Sequence, residues 1–471
     1  MRTPFSFRWV VVAVSAAMLL VLAAACGETK TIEVPGETVV VEKEVIKTVE
    51  VSGGTKEVIK KVEVPGETVT VQVPGETVVK TIEVPGETVV VEVEKEVLKV
   101  VEVVKEVVKI VEVPVEKEVV RIGLLTPQTG PIAQYAPGFA DAAKVAIAEL
   151  NVTHEGDFEF ELIVADSGCD ATHAATAAQT LIDSGVSVII GAACSGATLS
   201  AITVAAAAGV PMVSYASTSP AVTTADDNGY LFRVVPSDSQ QAVALVAVAS
   251  AAGAINPAVL YMTNDYGAGL GDNFAANWSG DVCTQVGYDP TEGSYDASTL
   301  AQSVVDGGCD SVLLMSYATD GAAIMEALSA QGFTSSIIGA DGLADAAFTA
   351  SFTDVAAVDG LLATRPRPGE ASSAKTNFES AYAAAGGADG AIYTGETYDA
   401  IKIAAAAIVS DPDGYVVAAL KKIGVNYVGA SGTHTFDAAG DVLGTGYEVC
   451  QFDGISFSCP RIWTADGGLT Q

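Results

Sequence analysis

VVRIGLLTPQTGPIAQYAPGFADAAKVAIAEL, residues 119–150, runs from a β-branched apolar stretch through a Pro/Gly-rich turn into a helix-period pattern. Val120 to Leu125 is a continuous apolar run except for Arg121, the signature of a strand buried on both faces. Ala140 to Leu150 follows with Ala143, Ile147 and Leu150 on one face, which predicts a helix. The unit repeats downstream. Strands are expected over Glu159–Val164, Val186–Ile190 and Val210–Ser214, with helices over Ala174–Ile182 and Leu199–Ala208 between them. From Gln240 a second series begins, with helices over 240–252, 268–278, 298–306 and 320–330 and strands over 257–262, 282–286, 310–315 and 335–339. Strands alternating with helices imply parallel sheets covered on both faces. The expected fold is α/β, two doubly wound parallel-sheet lobes in succession joined by a hinge. In such sheets ligands lie beyond the carboxyl ends of the strands.

Upstream of residue 119 the composition changes. Arg2 and Arg8 precede an apolar run of 17 residues, Trp9 to Ala25, which is short for a spanning helix. It closes on Ala23-Ala24-Ala25-Cys26-Gly27. Small residues before a cysteine resemble a bacterial lipobox, so residues 1–25 read as a lipoprotein signal peptide and Cys26 as the acylated first residue. Leu22 lies four residues before the cysteine where three is usual. Residues 26–119 are dominated by Val, Glu, Lys and Thr. The unit Glu33-Val-Pro-Gly-Glu-Thr-Val39 recurs at 63–69 and 83–89, and at 72–78 with Gln first. Pro-Gly turns and a lack of aromatics preclude an ordinary core. Val90, Val93, Val97, Val100, Val104, Val107 and Val111 form a heptad seam, while the same stretch alternates in places like a strand. Coiled coil, with self-association of the stalk, and extended linker are both open for 89–113. Either reading makes the segment a spacer from the membrane.

The formal net charge of the 471-residue chain is −34. This excludes nucleic acid as a partner, because phosphate binding needs clustered Lys and Arg. From Ile122 onward there are 38 acidic and 9 basic residues, consistent with a salty habitat or with an ordinary acidic exported protein. Six cysteines remain besides Cys26, and an even number in an exported chain suggests disulfides. Their order suggests the pairs Cys169–Cys194, Cys283–Cys309 and Cys450–Cys459. No CxxC occurs and the three histidines are scattered, so no metal site and no cofactor are expected. Neither a Gly-x-Ser-x-Gly elbow nor a Walker loop is present, which argues against an enzyme.

Ile122-Gly-Leu-Leu-Thr-Pro-Gln-Thr-Gly-Pro131, with Tyr135, Gly138 and Ala142, resembles the opening of the branched-chain amino-acid (Leu/Ile/Val)-binding proteins, type I periplasmic binding proteins of ABC importers. The resemblance continues through Asp166, Cys169, Cys194-Ser195, Pro211-Met-Val-Ser214, Asn264-Asp-Tyr-Gly267, Gly339-Ala-Asp-Gly342 and Tyr398-Asp-Ala400, covering 120–471. It implies a bilobal ligand-binding domain, with lobe 1 at about 120–238 plus 366–434 and lobe 2 at about 239–365 plus 435–471. It also implies an extracytoplasmic, lipid-anchored receptor that delivers an amino acid or related amide to an ABC permease and its ATPase subunits. A sensor module of the same fold without transport is the alternative.

A receptor for a zwitterion must partner both charges. Ser195 stands at the end of one expected strand, and the resemblance places the carboxylate-binding serine there. Its further carboxylate donors fall on Ala216 and Thr218. Asp341 ends strand 335–339 where the family carries a glutamate for the ligand's ammonium, one methylene longer. Tyr317 matches a tyrosine near that ammonium, and Tyr135 and Tyr266 occupy corresponding loops of the two lobes. Cys169 and Cys194 match a disulfide of the family's first lobe.

Overall fold

A computed structural model describes residues 117–470, apart from 346–347, 349–350, 389–390 and 413–414. Ahead of them it describes only a two-residue antiparallel pairing of Glu42–Lys43 with Glu106–Val107. The signal peptide, the acylated Cys26 and the stalk, coiled or extended, otherwise lie outside the described residues. No helix among the described residues is long and apolar enough to cross a membrane.

Lys117–Gln471 form one compact unit of two α/β lobes. The first sheet is entirely parallel, in the order β2-β1-β3-β4-β5, with β1 Glu118–Thr126, β2 Phe158–Asp166, β3 Val188–Gly191, β4 Met212–Ser214 and β5 Leu231–Arg233. The order reverses direction between β1 and β3, which opens a crevice at their carboxyl ends. All four residues of β3 are buried, as expected for a central strand covered on both faces. The connecting helices are α1 Ala136–Thr153, α2 Ala171–Asp183 and α3 Ser195–Ala208.

The second lobe repeats the plan with α4 Asp238–Ala251, β6 Pro257–Met262, α5 Asp265–Asn277, β7 Thr284–Tyr288, α6 Ala297–Gly307, β8 Ser311–Met315, α7 Ala318–Ala330, β9 Ser336–Gly339 and β10 Leu362–Pro366. These five strands are parallel in the order β7-β6-β8-β9-β10, with the switch between β6 and β8. The chain then returns to the first lobe with α8 Ser373–Ala384, α9 Thr394–Ser410 and α10 Val416–Ile423. Helix α9 packs on α1 and against β3 and β4. The chain ends on the second sheet with β11 Tyr447–Phe452, β12 Phe457–Thr464 and β13 Gly468–Leu469.

Two features differ from the expectation of purely parallel sheets. The second sheet is mixed, because β11, β12 and β13 extend it antiparallel beyond β10. Antiparallel strands need only tight connections, so they close the chain without a further crossover helix. Secondly, α1, α2, α3, α5 and α7 start two to four residues before their apolar periodicity does. Their first turns hold residues that apolar periodicity does not mark, among them Ser195 and Tyr266, which line the cavity between the lobes.

The three disulfides connect the expected partners. Cys169 and Cys194 join the loops after β2 and β3, with Cα atoms 5.4 Å apart. Cys283 and Cys309 join the segments leading into β7 and β8, at 5.5 Å. Cys450 and Cys459 staple β11 to β12, at 3.8 Å.

Candidate ligand cleft

The carboxyl ends of the two sheets face each other across a cavity of about 40 Å³. It is closed by bonds between the lobes. Ser219 Oγ donates to the Asp265 carbonyl at 2.8 Å, the Ile392 amide to Asp345 at 2.8 Å, and Tyr393 Oη to Asp341 at 2.7 Å.

Six of the seven residues expected at the ligand, Tyr135, Ser195, Ala216, Tyr266, Tyr317 and Asp341, line this cavity. Thr218 is buried beside it but is not part of the lining. Ser195 opens α3 and accepts from the Ser219 amide at 3.3 Å. The loop after β4 is held from behind. Ser217 Oγ bonds the Ala192 and Ala193 carbonyls and Thr198, and its amide donates to Ser214 Oγ. Arg233, fully buried, donates from one guanidinium nitrogen to the carbonyls of Ser217, Thr218 and Ser219 at 2.9–3.2 Å. Its other nitrogens take Asp441 at 2.7 and 2.8 Å, and one also reaches Thr223. With its carbonyls turned to Arg233, the loop leaves the side bearing Ala216 to the cavity, the arrangement expected of an anion subsite.

Asp341 stands across the cavity. Its two carboxylate oxygens accept from Tyr266 Oη at 2.9 Å and Tyr393 Oη at 2.7 Å. Burial raises its pKa, and the two hydroxyl bonds partly offset that rise. Tyr266 also accepts from the Gly342 amide at 3.1 Å and stacks on Tyr317, with centroids 5.5 Å apart and planes 2° from parallel. A Cβ at Gly342 would come within 2.5 Å of the Ser316 carbonyl, so only glycine allows the chain to pass this close to the tyrosine pair. Burial, followed by nearby carboxylates, holds the hydroxyls of Tyr266, Tyr317 and Tyr393 neutral far above pH 7. Asp320 begins its titration late for the same reason, with burial pushing it up to about 6. The Tyr135 hydroxyl is buried, and burial raises its pKa.

Phe139, Ala193, Ile392 and Tyr393 also line the cavity and were not expected from the sequence. Tyr393 precedes α9 with φ +59°, a left-handed conformation that is costly for a bulky residue. No local pattern marks Tyr393, since it reaches the site only when the chain re-enters the first lobe. Phe139 and Ala193 were adjacent to recognised positions, in the α1 pattern and the Gly191–Ser195 turn.

The periplasmic binding protein family model matches residues 119–454. A Leu/Ile/Val-binding protein of Rhizobium johnstonii, BraC3, is 28% identical over 351 residues, 72% of this chain and 93% of that protein. A leucine-binding protein of Thermotoga maritima, LivK, superposes with a TM-score of 0.66 at 26% identity, over 74% of this chain and 99% of that one. The branched-chain amino acid transporter substrate-binding protein LivJ of Streptococcus pneumoniae, solved with isoleucine, shares the fold with a TM-score of 0.67 at 22% identity, over 74% of this chain and all of that one. With its two parallel-sheet lobes and a cavity at their facing carboxyl ends, the chain belongs to the periplasmic binding protein family, in the type I fold of the Leu/Ile/Val-binding proteins.

Proposed function

We propose that the chain is the extracytoplasmic substrate-binding protein of an ABC importer and that its ligand is an aliphatic amino acid, with a related short amide as second choice. The observation that carries this reading is the polarity of the closed cavity. An anion subsite at Ser195 and Ala216, with Thr218 buried next to the lining, shares the cavity with an acid, Asp341, and with the tyrosines Tyr135, Tyr266 and Tyr317. A zwitterion satisfies both ends, whereas a plain carboxylate leaves a buried acid without a cation, at a cost of several kcal/mol. The Leu/Ile/Val-binding protein of Rhizobium johnstonii and the isoleucine complex of the Streptococcus pneumoniae protein agree with this class. We assign lobe 1 to about 120–238 plus 366–434 and lobe 2 to about 239–365 plus 435–471, as the membership of α9 and of β11–β13 supports. Closure of the lobes then presents the loaded form to a permease. The same chain carries a lipid on Cys26 and a spacer over 26–119, and no catalytic step is assigned to it.

Two measurements on the full-length chain test this. Calorimetry with L-leucine, L-isoleucine, L-valine, L-alanine and acetamide is expected to show saturable 1:1 binding of an amino acid without turnover. Absence of binding to all of them by the folded protein overturns the ligand class. Fractionation of cells is expected to find the chain with membranes and Cys26→Ser in the soluble extract; a variant that still sediments overturns the lipid anchor.

A further inference from the structure

The residues that hold the two lobes together are not all residues that line the cavity. Asp345 follows Asp341 just past the turn after β9 and is 2% exposed, yet it lies outside the lining. Its Oδ2 accepts the amide of Ile392, from the opposite lobe, at 2.8 Å. The next residue of that lobe, Tyr393, donates its hydroxyl to Asp341 Oδ2 at 2.7 Å. One short turn of the second lobe thus holds two consecutive residues of the first through two acids.

Both sides of this contact are held from within their own lobes. The Tyr393 carbonyl takes the Thr397 amide at 3.0 Å and the Thr397 hydroxyl at 2.7 Å, which pins the residue to the first turn of α9. Gly138 of α1 leaves room for the same segment, since a Cβ there would lie 3.5 Å from Thr394 and 3.6 Å from Ala391. In the second lobe the Leu343 and Ala344 amides donate to the Ala340 and Asp341 carbonyls, forming the tight turn that carries the chain toward Asp345. The Ile392 amide lies ahead of α9, outside its hydrogen-bond ladder. Its bond to Asp345 is partly buried. Closure without that acceptor would shield the amide from water and leave it unpaired, which is costly. A carboxylate is the stronger kind of acceptor for such a donor.

We propose that Asp345 is a closure latch, which engages the Ile392 amide only when the lobes shut and so sets how long a ligand stays rather than which ligand enters. The proposal rests on the amino-acid reading of the cavity. Asp345 is a positioning residue in this role. It acts through Ile392 and its neighbour Tyr393, both of which line the cavity, and does not itself reach the ligand. Selectivity then stays with Ser195, Asp341 and the tyrosines, while the latch adds the same increment for every ligand over which the lobes can close.

The test uses the full-length chain and Asp345→Ala, with L-leucine and L-alanine as probes and stopped-flow protein fluorescence as the readout. Loss of a bond to a charged acceptor is expected to raise the dissociation rate about ten-fold and to leave the association rate within about two-fold. The ratio of the leucine and alanine dissociation constants should not change. The melting temperature of the ligand-saturated chain should fall more than that of the ligand-free chain. Asp345→Asn keeps one oxygen to accept the amide, so its dissociation rate should lie between those of the wild type and Asp345→Ala; it carries the test alone, as a rate above the wild type's, if the alanine variant does not fold. Unchanged dissociation rates overturn the proposal and leave the amino-acid reading intact. Equal falls in the two melting temperatures overturn it by showing a structural role, and a changed leucine-to-alanine ratio overturns it by showing contact with the ligand. Failure of the wild type to bind either amino acid overturns the reading beneath it.

Discussion

Asp341 and Ser195 occupy opposite ends of the cavity but differ in how replaceable they are. Asp341, the acid proposed to meet the ligand's amine, is oriented by hydroxyls from Tyr266 and Tyr393 on its two oxygens. Asp341→Asn keeps the shape and one acceptor but removes the charge. It is expected to weaken amino-acid binding at least ten-fold, more than about 1.4 kcal/mol of charge-assisted bonding. Ser195→Ala removes one hydroxyl, while the backbone donors of the loop fixed by Arg233 remain. Its loss is expected to be smaller, and the ratio of the two dissociation constants by calorimetry checks the order. Equal effects would place the anchoring charge elsewhere than Asp341.

At the level of elements, the site is built from loops whose ends are stapled. The Cys169–Cys194 bond closes a separation of 25 residues and joins the loops after β2 and β3, the second of which leads into Ser195. Its Cys169 sulfur also lies 4.0 Å from the Tyr317 hydroxyl of the opposite lobe. Cys450–Cys459 closes 9 residues between two strands that already share a ladder. Loop entropy makes the first bond worth about 3.5 kcal/mol and the second about 1 kcal/mol less. The double variant Cys169→Ser, Cys194→Ser is therefore expected to lower the melting temperature more than Cys450→Ser, Cys459→Ser, and to be the one that also weakens ligand binding. Denaturant melts and titration of both variants test this; equal binding in the two would separate the first disulfide from the site.

Over the whole molecule, charge sets the response to solution conditions. Burial raises the carboxyls of Asp238, Asp320, Asp341 and Glu396, the third and fourth from opposite lobes, with Asp320 at about 6 and Glu396 at about 7. Unfolded, each returns to the ordinary range near 4. The folded chain thus binds more protons than the unfolded chain between about pH 4 and 7, so stability is greatest at the acidic end of that window and falls as pH rises through the folded values. The ligand-free melting temperature is expected to drop from pH 5 to pH 8. Glu396→Gln should flatten the slope by on the order of 2–3 kcal/mol over the window. The surplus of 38 acidic over 9 basic residues from Ile122 onward adds repulsion that salt screens, so the melting temperature should rise with NaCl at any pH in this range. A melting temperature that climbs from pH 5 to pH 8 would contradict the raised carboxyls.

Periodicity and punctuation alone determined the alternation of strands and helices, the two successive sheets and the positions of the loops at their carboxyl ends, because a buried parallel strand must be continuously apolar and its crossover must be a helix. Cysteine order foretold the pairs for a related reason: each pair joins neighbouring segments of one layer. Ser195, Ala216, Tyr266, Tyr317 and Asp341 were legible as residues just past strand ends, with the family resemblance supplying their roles. What the chain's linear order does not carry is which distant segments meet. The antiparallel strands β11 and β12, Tyr393 on the second entry into the first lobe, and Arg233 bound to Asp441 some 208 residues away all depend on the hinge being crossed more than once. Asp238 reads in the sequence as the first acid of a helix; only the tertiary structure shows it fully buried, with its amide bonded to the Thr218 carbonyl.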